Sequence, residues 1–286
     1  MGKQSLIMQP KDLQIARRVL AKFKAKKQVK TEAGKEITVY EYSDRQIALR
    51  NSKKAERLEQ LKKNIGRLEA KVKQDLKSSD TEKRMTALCV ALINATFERV
   101  GNETSADENE HFGVTGWQRK HVTFGKGKAT IKYVGKSGVS QIKEVTDVAI
   151  LKALRDAYDA NEKPDIFEHD DGKVDAAKVN AYLKPFNVTA KDLRGFHANS
   201  TMQGNLKAAR AKGPELPTDR KDKDKILKKE FLKALAQTAE TVGHEPSTLR
   251  SQYLCDTIEE SYLKDGTVTS SFVKTAERTM GHSEVT

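Results

Sequence analysis

A chain of 286 residues, 37% hydrophobic and 33% charged, has room for one domain of moderate size or two small ones under a heavily solvated surface. No apolar stretch approaches the ~20 residues of a membrane span, and the polar residues 1–6 do not read as a signal peptide, so no membrane partner is expected. The formal charge of +13 is uneven: residues 1–80 hold 21 Lys and Arg against 10 Asp and Glu, the remainder 32 against 30, as a basic segment facing a polyanion would require.

Residues 10–30 read as a basic amphipathic helix running into a strand, and they carry Lys22, Lys24, Lys26 and Lys27. A hairpin follows, with its turn at Glu32-Ala33-Gly34 and with Ile37, Val39, Tyr40 and Tyr42 as strand formers. Ser43-Asp44 is a plausible cap for a long helix to about Lys77. There Leu58, Leu61, Ile65, Leu68 and Val72 form one apolar stripe at spacings of three and four, which suits packing on one face better than a dimeric coiled coil. Ser79-Asp80 caps the next helix, 81–100, whose Met85, Leu88, Cys89, Leu92, Ile93 and Phe97 occupy more than one face. It should be central and buried, with Arg99 in its last turn.

A polar loop (104–113) leads to three antiparallel strands at 120–124, 129–134 and 139–145. Lys136 sits at the second turn, Gly135-Lys136-Ser137-Gly138, and Lys126, Lys128, Lys132 and Lys143 crowd the same meander. Helices are expected at 147–160 and 174–184, then from the cap Thr189 through Arg194 towards Ala211. Another runs from the charged segment after Asp219 to Gly243. His244 follows at once, and a further helical run opens at Pro246-Ser247 with Tyr253 two turns inside it. Beyond Gly266 the chain is polar and reads as a loosely held tail. Cys89 and Cys255 have no metal-ligand spacing and read as free thiols of a reducing, intracellular compartment. The fold class is α+β, mostly helical, with a small three-stranded antiparallel sheet.

Tyrosine has an ordinary pKa of about 10 and is a weak nucleophile at neutral pH, so a reactive Tyr253 needs positive charge brought to it. Arg99, Lys136, Arg194 and His244 stand at ends and turns, but periodicity alone does not bring them together. Their order and settings resemble the catalytic domain of type IB DNA topoisomerases. The turn Arg99-Val100-Gly101-Asn102-Glu103, the hairpin turn at Lys136, Lys191-Asp192-Leu193-Arg194, and Gly243-His244 ahead of Tyr253 carry the resemblance, which spans roughly residues 36–262.

What the resemblance implies is DNA strand cleavage through a 3′-phosphotyrosyl link at Tyr253. Arg99, Arg194 and His244 would donate to the non-bridging oxygens, and Lys136 would act as general acid to the leaving 5′-hydroxyl. It also implies duplex DNA as partner, no ATP, no metal and no other cofactor. The expected organisation is a basic segment with a hairpin (1–42), a catalytic domain (43–265) and a tail (266–286). Family members usually carry an N-terminal clamp domain, which is expected to be reduced or missing here. The basic segment with Lys22, Lys24, Lys26 and Lys27 is expected to hold backbone phosphates instead, with Lys191 beside the site. A monomer is expected, with a clamp from a separate chain as the alternative. A tyrosine recombinase shares the chemistry, but those proteins usually have histidine where Lys191 stands. A DNA-binding relative without catalysis is the remaining reading.

Overall fold

The computed structural model describes residues 25–30, 36–101, 112–135, 139–160, 162–170 and 172–274, and the chain divides into two units at Lys53 and Lys54. In the first unit β1 (Ala25–Lys30) pairs antiparallel with β2 (Glu36–Glu41), Lys27 lying opposite Val39. The Lys27 ammonium reaches Glu41 at 2.5 Å across an exposed face. Helix α1 (Asp44–Asp75) opens here, with the Ser43 backbone N–H donating to the Gln46 side chain at 2.9 Å, a capping arrangement of the kind the Ser43-Asp44 pair predicts.

Two hydrophobic clusters build the second unit. The first gathers the later turns of α1 (Leu61, Leu68, Val72) around α2 (Thr81–Thr96), the sheet, α3 (Val148–Asp159) and α4 (Ala176–Leu183). Every residue of α2 from Met85 to Ile93 is buried, which its all-round apolar sequence requires. The second cluster joins α5 (Ala190–Lys212), α6 (Arg220–Val242), the segment around Leu249 to Cys255 and α7 (Asp256–Asp265). Leu193 of α5 belongs to the first cluster and Ala198 to the second, so the turn of α5 that carries Arg194 lies where the two meet.

The sheet is the expected antiparallel meander β3 (Val122–Gly125), β4 (Lys128–Val134) and β5 (Ser140–Val145), in that order. Ile131 stands opposite both Val122 and Lys143. A short hairpin of two-residue strands, β6 (Glu168–His169) and β7 (Gly172–Lys173), was not expected. Among the described residues no helix is long and apolar enough to cross a membrane.

Three expectations are corrected. Helix α2 ends at Thr96, not Val100, because Phe97 turns left-handed (φ 58°) and ends the ladder, so Arg99 lies beyond the helix. The helical run from Pro246 does not pass through Tyr253: one turn (Pro246–Thr248) widens into a π-helix (Leu249–Tyr253) and stops there. Residues 267–274 are not a loose tail. Phe272 is buried against Phe196, its backbone N–H donates to Glu59 at 2.9 Å, and Lys62 hydrogen-bonds the Ser270 carbonyl. The apolar anchor Phe272 offsets the polarity of its neighbours.

Candidate active site

The site is assembled from three chain terminations and one buried helix turn. The first termination is that of α2. After the left-handed Phe97 the chain runs through Glu98 and Arg99 and is pinned by its own backbone: Val114 N–H donates to the Arg99 carbonyl and Thr115 N–H to the Val100 carbonyl, each at 2.8 Å. Gly101 (φ +111°) and Gly113 make this possible. A Cβ on Gly113 would sit 2.5 Å from the Gly101 backbone, so only glycine permits the approach. Phe97 is held from the other side by His197 of α5, the rings stacked at 4.5 Å and 22°. Burial pushes the His197 imidazole down to about 4, so it is neutral at neutral pH.

Arg194 is only 2% exposed on α5. The N-terminus of that helix is fixed by a capping box between Thr189 and Asp192, and Arg57 reaches Asp192 at 3.1 Å. The Arg194 Nη2 donates to the Val242 carbonyl at 2.9 Å, and the same nitrogen lies 3.6 Å from the Glu98 carboxylate. Its Nε and Nη1 are buried with no hydrogen-bond partner among the described residues. A buried guanidinium with two idle donors costs free energy unless an acceptor arrives, and their fork suits two phosphate oxygens.

The second termination is the end of α6. Gly243 is left-handed (φ +68°), with its N–H bonded to Glu240 and the His244 N–H bonded to the Ala239 carbonyl at 2.8 Å, the Schellman arrangement. The His244 imidazole thereby leaves the helix and packs on the Tyr253 ring at 4.4 Å. Burial pushes its pKa down to about 3, with the Arg194, Arg99 and Lys143 cations adding to the effect. A neutral imidazole results, and its Nε2 is buried with no partner among the described residues, so it can serve as a donor in the appropriate tautomer.

The third termination is the π-helix that ends at Tyr253. Asn199, fully buried one turn beyond Arg194, takes hold of it from both sides. Its Nδ2 donates to the Tyr253 carbonyl at 2.9 Å and its Oδ1 accepts from Cys255 N–H at 2.8 Å. Lys54 Nζ donates to the Leu254 carbonyl at 2.6 Å. These side chains supply the hydrogen bonds a continuing helix would have made, which is why it stops. The Arg194 guanidinium carbon and the Lys191 ammonium each stand 5.7 Å from the Tyr253 ring centre.

Arg99, Arg194, His244 and Tyr253 are thus gathered in one place, with Lys191 exposed beside them. Lys136 lies outside the described residues, as do Lys22 and Lys24, while Lys26 and Lys27 lie on β1. Three further residues touch this cluster. Asn199 fixes the Tyr253 backbone, Glu98 touches Arg194, and Lys143 lies 3.7 Å from Glu98. Tyr133 stands in the same cluster; burial and the Glu98 carboxylate raise its phenol far above the ordinary value, so it stays protonated.

The family model of the eukaryotic DNA topoisomerase I catalytic core matches residues 15–271 of the chain. Among curated relatives, DNA topoisomerase I of monkeypox virus is 26% identical over 224 residues, covering 77% of this chain and 68% of that protein. DNA topoisomerase 1B of vaccinia virus (strain Copenhagen) gives the same identity and coverage. DNA topoisomerase 1B of Acanthamoeba polyphaga mimivirus is 24% identical over 243 residues, covering 78% of this chain and 68% of that one. Among solved structures, XerH site-specific recombinase bound to palindromic difH substrate, a post-cleavage complex, aligns with a TM-score of 0.43 at 13% identity. That alignment covers 81% of this chain and 60% of the recombinase.

Proposed function

The chain belongs to the DNA topoisomerase I family, of type IB, and on that premise we propose that the cluster around Tyr253 cuts and rejoins one strand of duplex DNA to relax supercoils. The Tyr253 oxygen attacks the phosphorus, forming a 3′-phosphotyrosyl bond as the bond to the 5′-oxygen breaks. The phenol gives up its proton to water and the leaving 5′-oxygen takes one from Lys136, so the step is proton-neutral overall. Arg99, Arg194 and the neutral His244 donate to the non-bridging oxygens, whose charge rises in the five-coordinate transition state. Rejoining is the reverse attack by the 5′-hydroxyl. The bond energy is kept in the covalent link, so no nucleotide is consumed.

One observation carries this reading: the tyrosine ring packs against a neutral histidine at 4.4 Å and lies 5.7 Å from a buried arginine whose remaining donors have no acceptor among the described residues. One nucleophile on one strand suffices, so the chain acts as a monomer, on DNA inside the cell. The basic segment that includes Lys22, Lys24, Lys26 and Lys27 adds backbone contacts that weaken as salt rises, and Lys191 adds one beside the site. The deciding experiment denatures a reaction on end-labelled duplex and maps the adduct. A 3′-phosphate on Tyr253, absent in Tyr253→Phe with duplex binding kept, is the expected result. DNA bound without any adduct, or joined through another residue, overturns the proposal.

A further inference from the structure

Strand β5 breaks its own pattern at one position. Ile142 faces solvent at 63% exposure, whereas Lys143 faces the core at 9%. The register is not free to slip, because Val145 is buried on the same face and Ile131 is paired opposite Lys143. A lysine on the inner face of a sheet is costly to desolvate, and its one ionic partner among the described residues, Glu98, lies 3.7 Å away. Buried ion pairs of this kind are poor sources of stability, so packing does not account for it.

The partner explains more. Glu98 is 4% exposed, and one of its oxygens accepts from the Arg99 backbone N–H at 2.8 Å and lies 3.6 Å from Arg194. Its other oxygen faces Lys143 and has no hydrogen-bond partner among the described residues. With Arg194 as its only cation, Glu98 would neutralise the guanidinium that the site needs for phosphate. Burial lowers the Lys143 pKa and the Glu98 carboxylate opposes that shift; with Lys143 protonated, the formal charges of Arg194, Lys143 and Glu98 leave one net positive charge, which matches one phosphodiester.

We propose that Lys143 is a positioning residue for strand cleavage: by taking up the charge of Glu98 it leaves Arg194 free to hold the scissile phosphate. The assignment rests on the reading of Tyr253 and Arg194 above. Lys143 also lies against the turn that releases His244: a Cβ on Gly243 would stand 2.8 Å from Gln141 Oε1 and 3.2 Å from Lys143 Nζ.

The test compares wild type, Tyr253→Phe, Lys143→Met, Glu98→Gln and the double variant Glu98→Gln/Lys143→Met. Plasmid relaxation is followed with enzyme in excess, beside duplex affinity and thermal midpoint. Lys143→Met should relax about 100-fold more slowly, the scale of one lost active-site donor. Its duplex affinity should change less than about threefold, since a buried cation adds little to a surface holding many phosphates. The double variant, with the carboxylate also removed, should recover at least about tenfold over Lys143→Met, the sign of coupled residues. Relaxation by Lys143→Met at the wild-type rate, or a folded double variant no faster than it, overturns the proposal; the second result would place Lys143 on the DNA directly.

If Lys143→Met does not fold, the double variant is compared with wild type, and a folded double more than about 100-fold slower overturns it. A wild type that forms no adduct at Tyr253 defeats the functional reading and this one with it. An adduct-forming wild type matched by Lys143→Met defeats this one alone.

Discussion

Asn199 and Tyr253 are joined backbone to side chain: the Asn199 amide donates to the Tyr253 carbonyl at 2.9 Å while also donating to Gly195 at 2.7 Å and accepting from Cys255 at 2.8 Å. Every polar atom of this fully buried side chain is therefore committed, and two of its three bonds bracket the nucleophile. Since Arg194 and Asn199 stand on the same helix, α5 sets the distance between the guanidinium and the tyrosine through one rigid element.

Replacing Asn199 by Ala should strand the Tyr253 carbonyl and the Cys255 N–H in the core. At about 1–3 kcal/mol for each buried group left unsatisfied, the loss of stability should be about 2–6 kcal/mol by urea unfolding. Asn199→Asp separates the roles, because a carboxylate still accepts from Cys255 but no longer donates to Tyr253. Slower adduct formation at unchanged duplex affinity is expected for Asn199→Asp, and a wild-type rate would show that the Tyr253 clamp is structural only.

Arg194 combines three tasks that lysine cannot share. Its Nη2 caps the Val242 carbonyl and faces Glu98, leaving Nε and Nη1 for a phosphate. Arg194→Lys keeps the charge but offers a single compact ammonium in place of the planar fork. Adduct formation should fall by about two orders of magnitude or more. The end of α6 should also loosen, read as faster hydrogen exchange at Gly243 and His244. A lysine variant that cleaves at the wild-type rate would remove the forked contact from the mechanism.

Much of this architecture can be read from residue patterns, because patterns report burial. The unbroken apolar run of α2, the meander and the glycine that ends α6 at Gly243 each follow from local chemistry. What cannot be read is which side of a pattern wins. In Gln141-Ile142-Lys143-Glu144-Val145 the two alternating faces are almost equally polar, and the register, with Ile131 opposite Lys143 and Val145 buried on the same face, sends the lysine inward. Likewise a phenylalanine gives no hint of a left-handed helix end, since its own preference opposes it; the His197 ring that holds Phe97 there comes from a distant part of the chain. Asn199 sits mid-helix, where its partners 54 and 56 residues away are invisible to local spacing.

The two site histidines set a pH dependence of stability. His197 and His244 are depressed to about 4 and about 3, below the ordinary 6.5 that applies when the chain is unfolded. Above 6.5 both forms are neutral and the pair contributes nothing. As pH falls below 6.5 the unfolded chain takes up protons that the folded one refuses, until about 4 for His197 and about 3 for His244, so stability declines across that window. The thermal midpoint should therefore drop between pH 6.5 and 4, and by less in His197→Gln. Over pH 6 to 8 the cleavage rate should show no step from the protonation of His244, and a titration near 6.5 in single-turnover rates would contradict its neutral state.

Phe97 offers a test in which the smaller residue should be the more stable. The backbone there is left-handed at φ 58°, a conformation that costs an L-residue about 1–2 kcal/mol and glycine almost nothing. Phe97→Ala loses the His197 stack and keeps the strain, whereas Phe97→Gly loses the stack and releases it. The glycine variant should unfold at higher urea than the alanine one, by about 1 kcal/mol, the reverse of the order expected inside a helix. Both should slow adduct formation, because the stack holds the turn through which Glu98 and Arg99 reach the site. If alanine proves the more stable, the left-handed end of α2 is not what positions Arg99.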